Sequence, residues 1–283
     1  MEHQKPPSIL YRYFPLQPFI EQLLSGECLR FADPLSFNDP FEVRPSLYMN
    51  PNNPVTQRYY HQIAKKRGMP LKDRMPKINA MMNRLSKNGG RDIQSDTVRE
   101  QYTGRFGVLC LTPHRDSLLM WSHYGDSHKG ICIGFDTSVH FFKTAMAVNY
   151  QDKYPEIKPA TDSQDIGLEK TILTKASCWG YENEWRIVKH SLTEQERKAR
   201  FNEYSDRCSK LDDVDTLSNH LGPGDYHFNK NSVQEIIIGA KAPMEMVTRL
   251  FEWVSNHNNS VKVFQATCHN HEYSLVINPA IRK

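Results

Sequence analysis

Short apolar runs separated by turn-forming residues are the main pattern along this chain. The clearest runs cover residues 9–14, 106–111, 130–135 and 235–239, and weaker ones cover 28–31, 145–150, 261–266 and 273–277. Runs of this length that are rich in β-branched and aromatic residues predict buried strands. Helical patterns lie between them without regular βαβ alternation, so the sequence predicts an α+β fold with mostly antiparallel sheet.

Two polar regions interrupt this pattern. Residues 54–103 are rich in Lys, Arg, Gln and Met, with apolar residues at helical spacing, and predict a helical insertion of one or two helices. Residues 191–231 contain acidic and turn-forming residues and predict a variable excursion. We expect a single domain over residues 1–283 that carries both regions.

The composition narrows the class of protein. The chain has 283 residues, 39% of them hydrophobic and 24% charged, as is typical of a globular protein that buries a substantial core. The net charge of +4 does not by itself indicate nucleic-acid binding, although it permits a local basic patch. The start lacks the apolar stretch of a signal peptide, and no apolar run approaches the roughly 20 residues that cross a bilayer. We therefore expect a cytoplasmic protein that does not contact a membrane.

Residues 175–188 carry the densest candidate chemistry. Glu182, Glu184 and Arg186 alternate with other residues, and side chains two apart share one face of a strand. The pattern predicts a row of two carboxylates and a guanidinium, with Trp185 and Ile187 facing the core. Such a row is either a solvated edge or the wall of an active site.

Three other clusters combine polar and aromatic residues. Arg12 lies between Tyr11 and Tyr13, residues 38–42 form an Asn-Asp-Pro-Phe-Glu loop, and residues 120–125 read Met-Trp-Ser-His-Tyr-Gly. Each is compatible with an ordinary turn, surface or core contact. Together they suggest a pocket, because aromatic rings stack on flat heterocycles, Arg binds phosphate and Glu stabilises developing positive charge.

Several common catalytic and metal-binding motifs are absent from the sequence. It contains no glycine-rich phosphate loop, no His-Glu-x-x-His and no Gly-x-Ser-x-Gly, and its six cysteines include no Cys-x-x-Cys pair. The sequence therefore gives no motif for zinc binding, and we assign no metal ligands.

The four clusters resemble a widespread bacterial family, domain of unknown function 2971. The resemblance is carried by the Tyr-Arg-Tyr strand, the Asn-Asp-Pro-Phe-Glu loop, residues 120–136 with Met-Trp-Ser-His-Tyr, and the Lys…Trp-x-Tyr-Glu-x-Glu-Trp-Arg pattern of residues 175–186. It spans about residues 9–190 and more weakly extends to 280. The family itself implies no activity.

The order of these motifs is also similar to the ADP-ribosyltransferase fold, whose members bind NAD between two small antiparallel sheets. That resemblance implies split β-sheets and NAD as a substrate. It implies that Arg12 binds the NAD phosphates or ribose and that Trp121, Ser122 or Tyr124 flanks the nicotinamide. Glu184 would be the catalytic acid, with Glu182 beside it. Tyr11, Asn38 and His123 complete the expected NAD-binding residues.

The expected function is therefore an ADP-ribosyltransferase or NAD-cleaving enzyme, with a bacterial toxin or a phage-defence effector as its biological setting. Its partners would be NAD, a protein or nucleic-acid target and, in a homodimer, a second copy of the chain. A non-enzymatic nucleotide- or protein-binding module is an alternative. Another is a metal-dependent nuclease or hydrolase that uses carboxylates, namely Asp39, Glu42, Glu182 and Glu184.

Overall fold

The computed structural model describes residues 4–15, 28–91, 106–191, 222–257 and 260–280. The chain divides into two compact units. The first consists of Met1–Ser36, Arg105–Val148 and Cys178–Lys283, and the second of Phe37–Gly104 and Asn149–Ser177.

The first unit is built on a five-stranded sheet. Its strands are Ile9–Phe14 (β1), Ile131–Asp136 (β5), Val233–Ile238 (β12), Lys262–Cys268 (β13) and Leu275–Pro279 (β14), and they lie side by side in that order. All neighbours are antiparallel except β12 and β13, which are parallel. The chain crosses from β12 to β13 through a helix, Met244–His257, which is α5 in chain order.

Two smaller sheets contain the other described strands of the first unit. One joins Phe106–Leu111 (β4), Trp185–His190 (β10) and Met146–Ala147 (β6) in antiparallel register, with β10 in the centre. The other pairs Cys28–Phe31 (β2) with Gly224–His227 (β11). The mostly antiparallel α+β class predicted from the sequence is confirmed, and the strands are divided among separate sheets.

The core of this unit is largely apolar, and a lysine ammonium lies against its aromatic residues. Strand residues such as Leu10, Leu109 and Ile131 pack with residues of α5 in a single buried cluster. The ammonium of Lys189 lies 5.0, 5.4 and 5.8 Å from the ring centroids of three aromatic residues, Phe141, Tyr226 and Phe31. Burial lowers the pKa of Lys189, while the ring faces attract its charged form.

A short helix, Leu118–His123 (α3), begins where the Ser117 hydroxyl accepts a hydrogen bond from the Met120 amide. It carries the Met-Trp-Ser-His-Tyr motif into the loop that precedes β5.

Within its described residues, the second unit contains three α-helices and two small strand pairs. Its helices are Pro54–Lys66 (α1), Leu71–Lys87 (α2) and Gln164–Ile172 (α4). Its strands pair in parallel, Ser46–Leu47 (β3) with Glu156–Ile157 (β8), and Asn149–Gln151 (β7) with Thr174–Ala176 (β9).

The two polar regions predicted from the sequence are described only in part. α1 and α2 lie within the predicted 54–103 insertion, and residues 92–103 fall outside the described residues. Of the predicted 191–231 excursion, residues 192–221 also fall outside them. A single domain that carries both regions stays a prediction. Among the described helices, none has an apolar stretch of the length that a bilayer crossing requires.

Gly130 marks the tightest backbone approach next to β5. Its amide donates to the Gly125 carbonyl at 2.9 Å, and its own carbonyl accepts from the Gly239 amide at 2.9 Å. A Cβ at Gly130 would overlap the carbonyl oxygen of Phe14, which is backbone and has little freedom to move. The position therefore requires glycine for steric reasons.

We expect Gly130→Ala to lower the free energy of unfolding by about 1–3 kcal/mol, the usual cost of overpacking. Gly180→Ala is the matched control, because a Cβ at Gly180 meets no atom within 4 Å. Urea unfolding of both variants measures the difference. Equal free energies of unfolding for the two variants would contradict the steric requirement for glycine at position 130.

Candidate functional site

The stretch between β9 and β10 is not a continuous strand. Residues Ser177–Glu182 form a 3₁₀ turn, Asn183 has a left-handed φ of 44°, and β10 begins only at Trp185. The predicted row of Glu182, Glu184 and Arg186 on one strand face is therefore wrong, because the turn at Asn183 changes the direction of the chain between the two acids. The prediction that Trp185 and Ile187 face the core is confirmed, since both are buried.

Glu184 and Arg186 form a buried, two-pronged ion pair. The Arg186 Nε atom donates to Glu184 Oε1 at 2.8 Å, and Nη2 donates to Oε2 at 3.0 Å. The Arg186 side chain is 0% exposed and that of Glu184 is 4% exposed. Two parallel hydrogen bonds match the guanidinium fork to the carboxylate, which is the arrangement that best offsets the desolvation of both charges.

Arg12 lies close to this ion pair. Its Nη1 atom is 3.5 Å from the Cys110 carbonyl oxygen, and Cys110 is the strand partner of Arg186. Burial lowers the pKa of Arg12, while Cys110 and the carboxylate of Glu184 act in the opposite direction. The cation expected to bind phosphate and one of the expected acids are therefore electrostatically coupled.

Glu182 has different surroundings from Glu184. Its Oε1 atom accepts a hydrogen bond from the Tyr124 hydroxyl at 2.8 Å, and its backbone carbonyl accepts one from Thr112 Oγ1 at 2.6 Å. Glu182 is buried, and the phenol that binds its carboxylate belongs to a half-buried residue. Two separate sequence motifs, that of α3 and that of residues 175–186, therefore meet at one hydrogen bond.

The Tyr124 ring that donates this hydrogen bond belongs to a set of four neighbouring rings. We call it the ring cluster: His123, Tyr124, Trp179 and Tyr181. The His123 ring centroid is 6.1 Å from that of Tyr124 and 6.3 Å from that of Trp179, which is 6.0 Å from Tyr181. His123 is exposed and the other three are half-buried, while the neighbouring Ser122 is exposed. The ring cluster therefore presents aromatic surface to solvent beside a carboxylate.

Trp121 and Tyr11 do not fit their predicted roles as NAD contacts. Trp121 is fully buried, packs edge-on against Tyr13 at 5.0 Å and donates from Nε1 to the Arg115 carbonyl at 3.0 Å. A ring without exposed surface has no face for a nicotinamide. Tyr11 is also buried and donates to Glu235, a carboxylate that Arg115 binds at 2.7 Å. Adjacent strand residues point to opposite faces, so Tyr11 faces away from the strand face that holds Arg12.

The Asn-Asp-Pro-Phe-Glu loop belongs to the second unit. Asp39 Oδ1 accepts a hydrogen bond from the Phe41 amide at 2.8 Å, so this carboxylate orders its own turn. Glu42 binds Lys175 at 3.1 Å in an ion pair whose side chains are 3% and 5% exposed. Asn38 is exposed in the same loop. The loop is thus joined to the first residue of the 175–186 motif by a contact inside this unit.

The described residues contain no group of three or more His, Cys, Asp or Glu side chains arranged to hold a metal ion. Within the described structure, Glu42 and Glu184 are paired with Lys175 and Arg186. The metal-dependent nuclease or hydrolase stays an alternative.

A depression of about 550 Å³ lies elsewhere on the first unit. It is lined by the loop from Cys268, at the end of β13, to Leu275, and by His128 and Lys241. None of the residues predicted from the sequence as site residues lines it. Burial, followed by the nearby charge of Lys241, lowers the pKa of His128.

Trp179 and Tyr181 are not among the site residues expected from the sequence, although they supply half of the ring cluster. They flank one glycine directly before Glu182, in a Trp-Gly-Tyr-Glu string. Two aromatic residues that flank a glycine directly before a glutamate are the sequence signal by which Trp179 and Tyr181 can be predicted. Thr112, which binds the Glu182 carbonyl, has no comparable pattern.

Comparison with known proteins gives a family match over one segment and no activity. Residues 120–187 match the model of a family described as protein of unknown function (DUF2971), which confirms the predicted family over that segment. No curated protein matches the chain. No solved structure matches it either.

We expect Arg186→Met to lower the free energy of unfolding by about 3–5 kcal/mol, because it leaves the Glu184 carboxylate buried without its fork partner. The double variant Glu184→Leu/Arg186→Met should recover much of that loss. Arg30→Met is the control, since Arg30 and Asp225 form an exposed pair at 3.4 Å and such pairs contribute about 0–1 kcal/mol. Urea unfolding that gives equal losses for Arg186→Met and Arg30→Met would contradict the structural role of the buried pair.

His128 should titrate below the usual histidine pKa of about 6.5, because its surroundings disfavour the protonated ring. Lys241→Met removes one of the two causes, and we expect it to raise the pKa without restoring the usual value. An NMR pH titration of the His128 ring protons measures this pKa in the wild type and in the Lys241→Met variant. A wild-type His128 pKa above the usual value would contradict the effects ascribed to burial and to Lys241.

Proposed function

We propose that this protein is an NAD-consuming enzyme, an ADP-ribosyltransferase or an NAD-cleaving enzyme, with its reacting centre at the ring cluster and Glu182. The observation that carries the proposal is the 2.8 Å hydrogen bond between Tyr124 and Glu182, beside exposed aromatic surface. It joins two of the motifs through which the chain resembles enzymes that cleave NAD.

The residue types suit the chemistry. The nicotinamide–ribose bond breaks with its electron pair leaving on the nicotinamide nitrogen, and positive charge develops on the ribose carbon and ring oxygen. A carboxylate held in place by Tyr124 stabilises that charge without reorganising. Aromatic faces such as those of Trp179 and Tyr181 bind the flat nicotinamide. Water or a nucleophile of the target molecule then bonds to the ribose carbon and loses a proton.

The supporting roles in the site fall to Arg12, Glu184 and Arg186. Arg12 supplies positive charge suited to the NAD diphosphate. Glu184, the catalytic acid expected from the sequence, has both carboxylate oxygens bonded to Arg186. In this proposal Glu184 is a positioning residue that holds Arg186 and acts on Arg12, and Glu182 is the acid that meets the substrate. Two further residues of the first unit, Ser122 and His123, remain candidates for contacts to NAD. Asn38 belongs to the second unit and has no role in this site.

The biological setting is part of the same proposal. An enzyme that consumes NAD acts where NAD is present, which agrees with the cytoplasmic location expected from the sequence. The protein would act as a toxin or a phage-defence effector, either by depleting NAD or by modifying a protein or nucleic-acid target.

We expect Glu182→Gln to lower the rate of nicotinamide release from NAD by about 10²–10³-fold, the typical loss when one electrostatic contact to the transition state is removed. Tyr124→Phe should give a smaller loss, because the carboxylate remains but loses its orienting hydroxyl. Nicotinamide is measured by chromatography, with cell lysate or nucleic acid present as possible acceptors.

Glu245→Gln is the matched control, since Glu245 is an exposed acid on α5. Thermal unfolding of each variant shows whether a lost rate reflects a lost fold. The proposal fails if the wild-type protein neither binds NAD nor releases nicotinamide. It also fails if a folded Glu182→Gln variant keeps the full rate.

A non-enzymatic nucleotide-binding module is the second candidate function. The observation that favours it is the pairing of two motif acids with cations, Glu184 with Arg186 and Glu42 with Lys175. Motif residues used in this way order the protein rather than react. Calorimetry with NAD discriminates the two functions: the module binds NAD with no product, and its binding survives Glu182→Gln.

A further inference from the structure

The positive charge of the chain is concentrated in one short region of the second unit. Residues 54–91 contain ten Lys or Arg residues and one acidic residue, Asp73, leaving 26 basic and 31 acidic residues in the rest of the chain. A chain with a net charge of only +4 thus contains a strongly basic segment and an acidic remainder. Such asymmetry indicates a polyanionic partner for the segment.

The basic residues lie on the outer sides of α1 and α2. On α2, Lys77, Arg84 and Lys87 are exposed and recur at helical spacing, whereas Ile78, Met82 and Leu85 are buried. On α1, Arg58 and Lys65 are exposed and seven residues apart, so they too share one face. We call the face of α2 that contains Lys77, Arg84 and Lys87 the basic face.

The apolar side of these helices is already used within the second unit. Ile78, Met82 and Leu85 pack with Met49 in a buried cluster that also contacts Tyr59 of α1. A helix that lies in a membrane surface needs an apolar side open to lipid. The exposed large apolar residues of α2, Leu71 and Met75, lie at its start and outside the basic face. Charge is therefore the main property that the basic face offers a partner.

We propose that the basic face of α2 binds the phosphodiester backbone of a nucleic acid. Lys77 and Lys87 are ten residues apart, so the face is about 15 Å long at the usual helical rise. That length spans several phosphates, because a duplex carries one charge per about 1.7 Å of its axis. Exposed Asn79 and Asn83 lie along one side of the face and supply additional hydrogen-bond donors. The proposal does not depend on the proposed NAD chemistry, which belongs to the first unit.

The first test changes charge at one exposed position. Ala80 is exposed on the basic face, three residues after Lys77 and four before Arg84. Ala80→Glu should weaken binding, Ala80→Lys should strengthen it, and Ala80→Gln should leave it near wild type. All three replacements introduce good helix formers, so the fold is preserved. Fluorescence anisotropy measures the affinity of each variant for labelled duplex DNA, duplex RNA and a single strand, each about 20 nucleotides long, and so gives the order of the three affinities.

The second test measures the dependence of binding on salt. The slope of log K against log salt has a magnitude of about 0.7–0.9 for each phosphate that the protein neutralises. The triple variant Lys77→Gln/Arg84→Gln/Lys87→Gln should therefore reduce that magnitude by about 2–3. The control Lys129→Gln/Lys143→Gln/Lys262→Gln removes the same charge from exposed positions of the first unit. The control should keep the wild-type slope.

Three outcomes overturn the proposal. One is the absence of binding to all three nucleic acids at about 50 mM salt. Another is an equal reduction of the slope in the two triple variants. The third is binding to phosphatidylserine vesicles, but to none of the nucleic acids, that follows the Ala80 series, which would identify a membrane surface as the partner. Binding to DNA or to RNA supports the proposal, and the three probes identify the preferred form. The assays contain no NAD, so their result is independent of nicotinamide release.

Discussion

A guanidinium with no exposed surface lies at the start of β10, and the geometry around it depends on one carboxylate. Arg186 keeps its charge there because Glu184 accepts two hydrogen bonds from it. The backbone carbonyl of Glu184 also accepts a hydrogen bond from the Val148 amide at 2.9 Å, which ties it to the end of β6. Once Glu184 is fixed, the turn at Asn183 sets the position of Glu182 relative to Tyr124. The buried ion pair therefore determines where the hydrogen bond between Tyr124 and Glu182 lies.

The motif residues of this chain divide into two kinds of contact. Glu42 with Lys175 and Glu184 with Arg186 are buried ion pairs, which are costly to break and suit the ordering of loops. Tyr124 with Glu182 is a neutral hydroxyl on a carboxylate, and the rings nearby are partly open to solvent, which suits the binding of a ligand. A motif that looks uniform in sequence thus combines supporting residues and candidate reacting residues. The distinction depends on what each acid binds rather than on its spacing.

Much of the fold is predictable from the sequence because it depends on local pattern. The apolar runs at 9–14 and 106–111 form strands with those bounds, and the run at 235–239 overlaps the strand Val233–Ile238. A short run of β-branched or aromatic residues that is buried on both faces fits few structures other than a strand. The site is less predictable. Alternation suggests one strand through Glu182 and Glu184, but the left-handed Asn183 follows the 3₁₀ turn, and no pattern of apolar residues encodes it. Likewise, whether Trp121 faces a ligand or Tyr13 depends on tertiary packing, which a helical turn alone does not determine.

The central claim is that Glu182, and not Glu184, meets the substrate. A crystal structure of the Glu182→Gln protein with NAD bound tests it most directly. The account predicts the nicotinamide against the ring cluster and the ribose within about 2.6–3.2 Å of the side chain at position 182. An NAD molecule whose ribose lies on Glu184, or that occupies the depression beside Cys268 and His128, would contradict it.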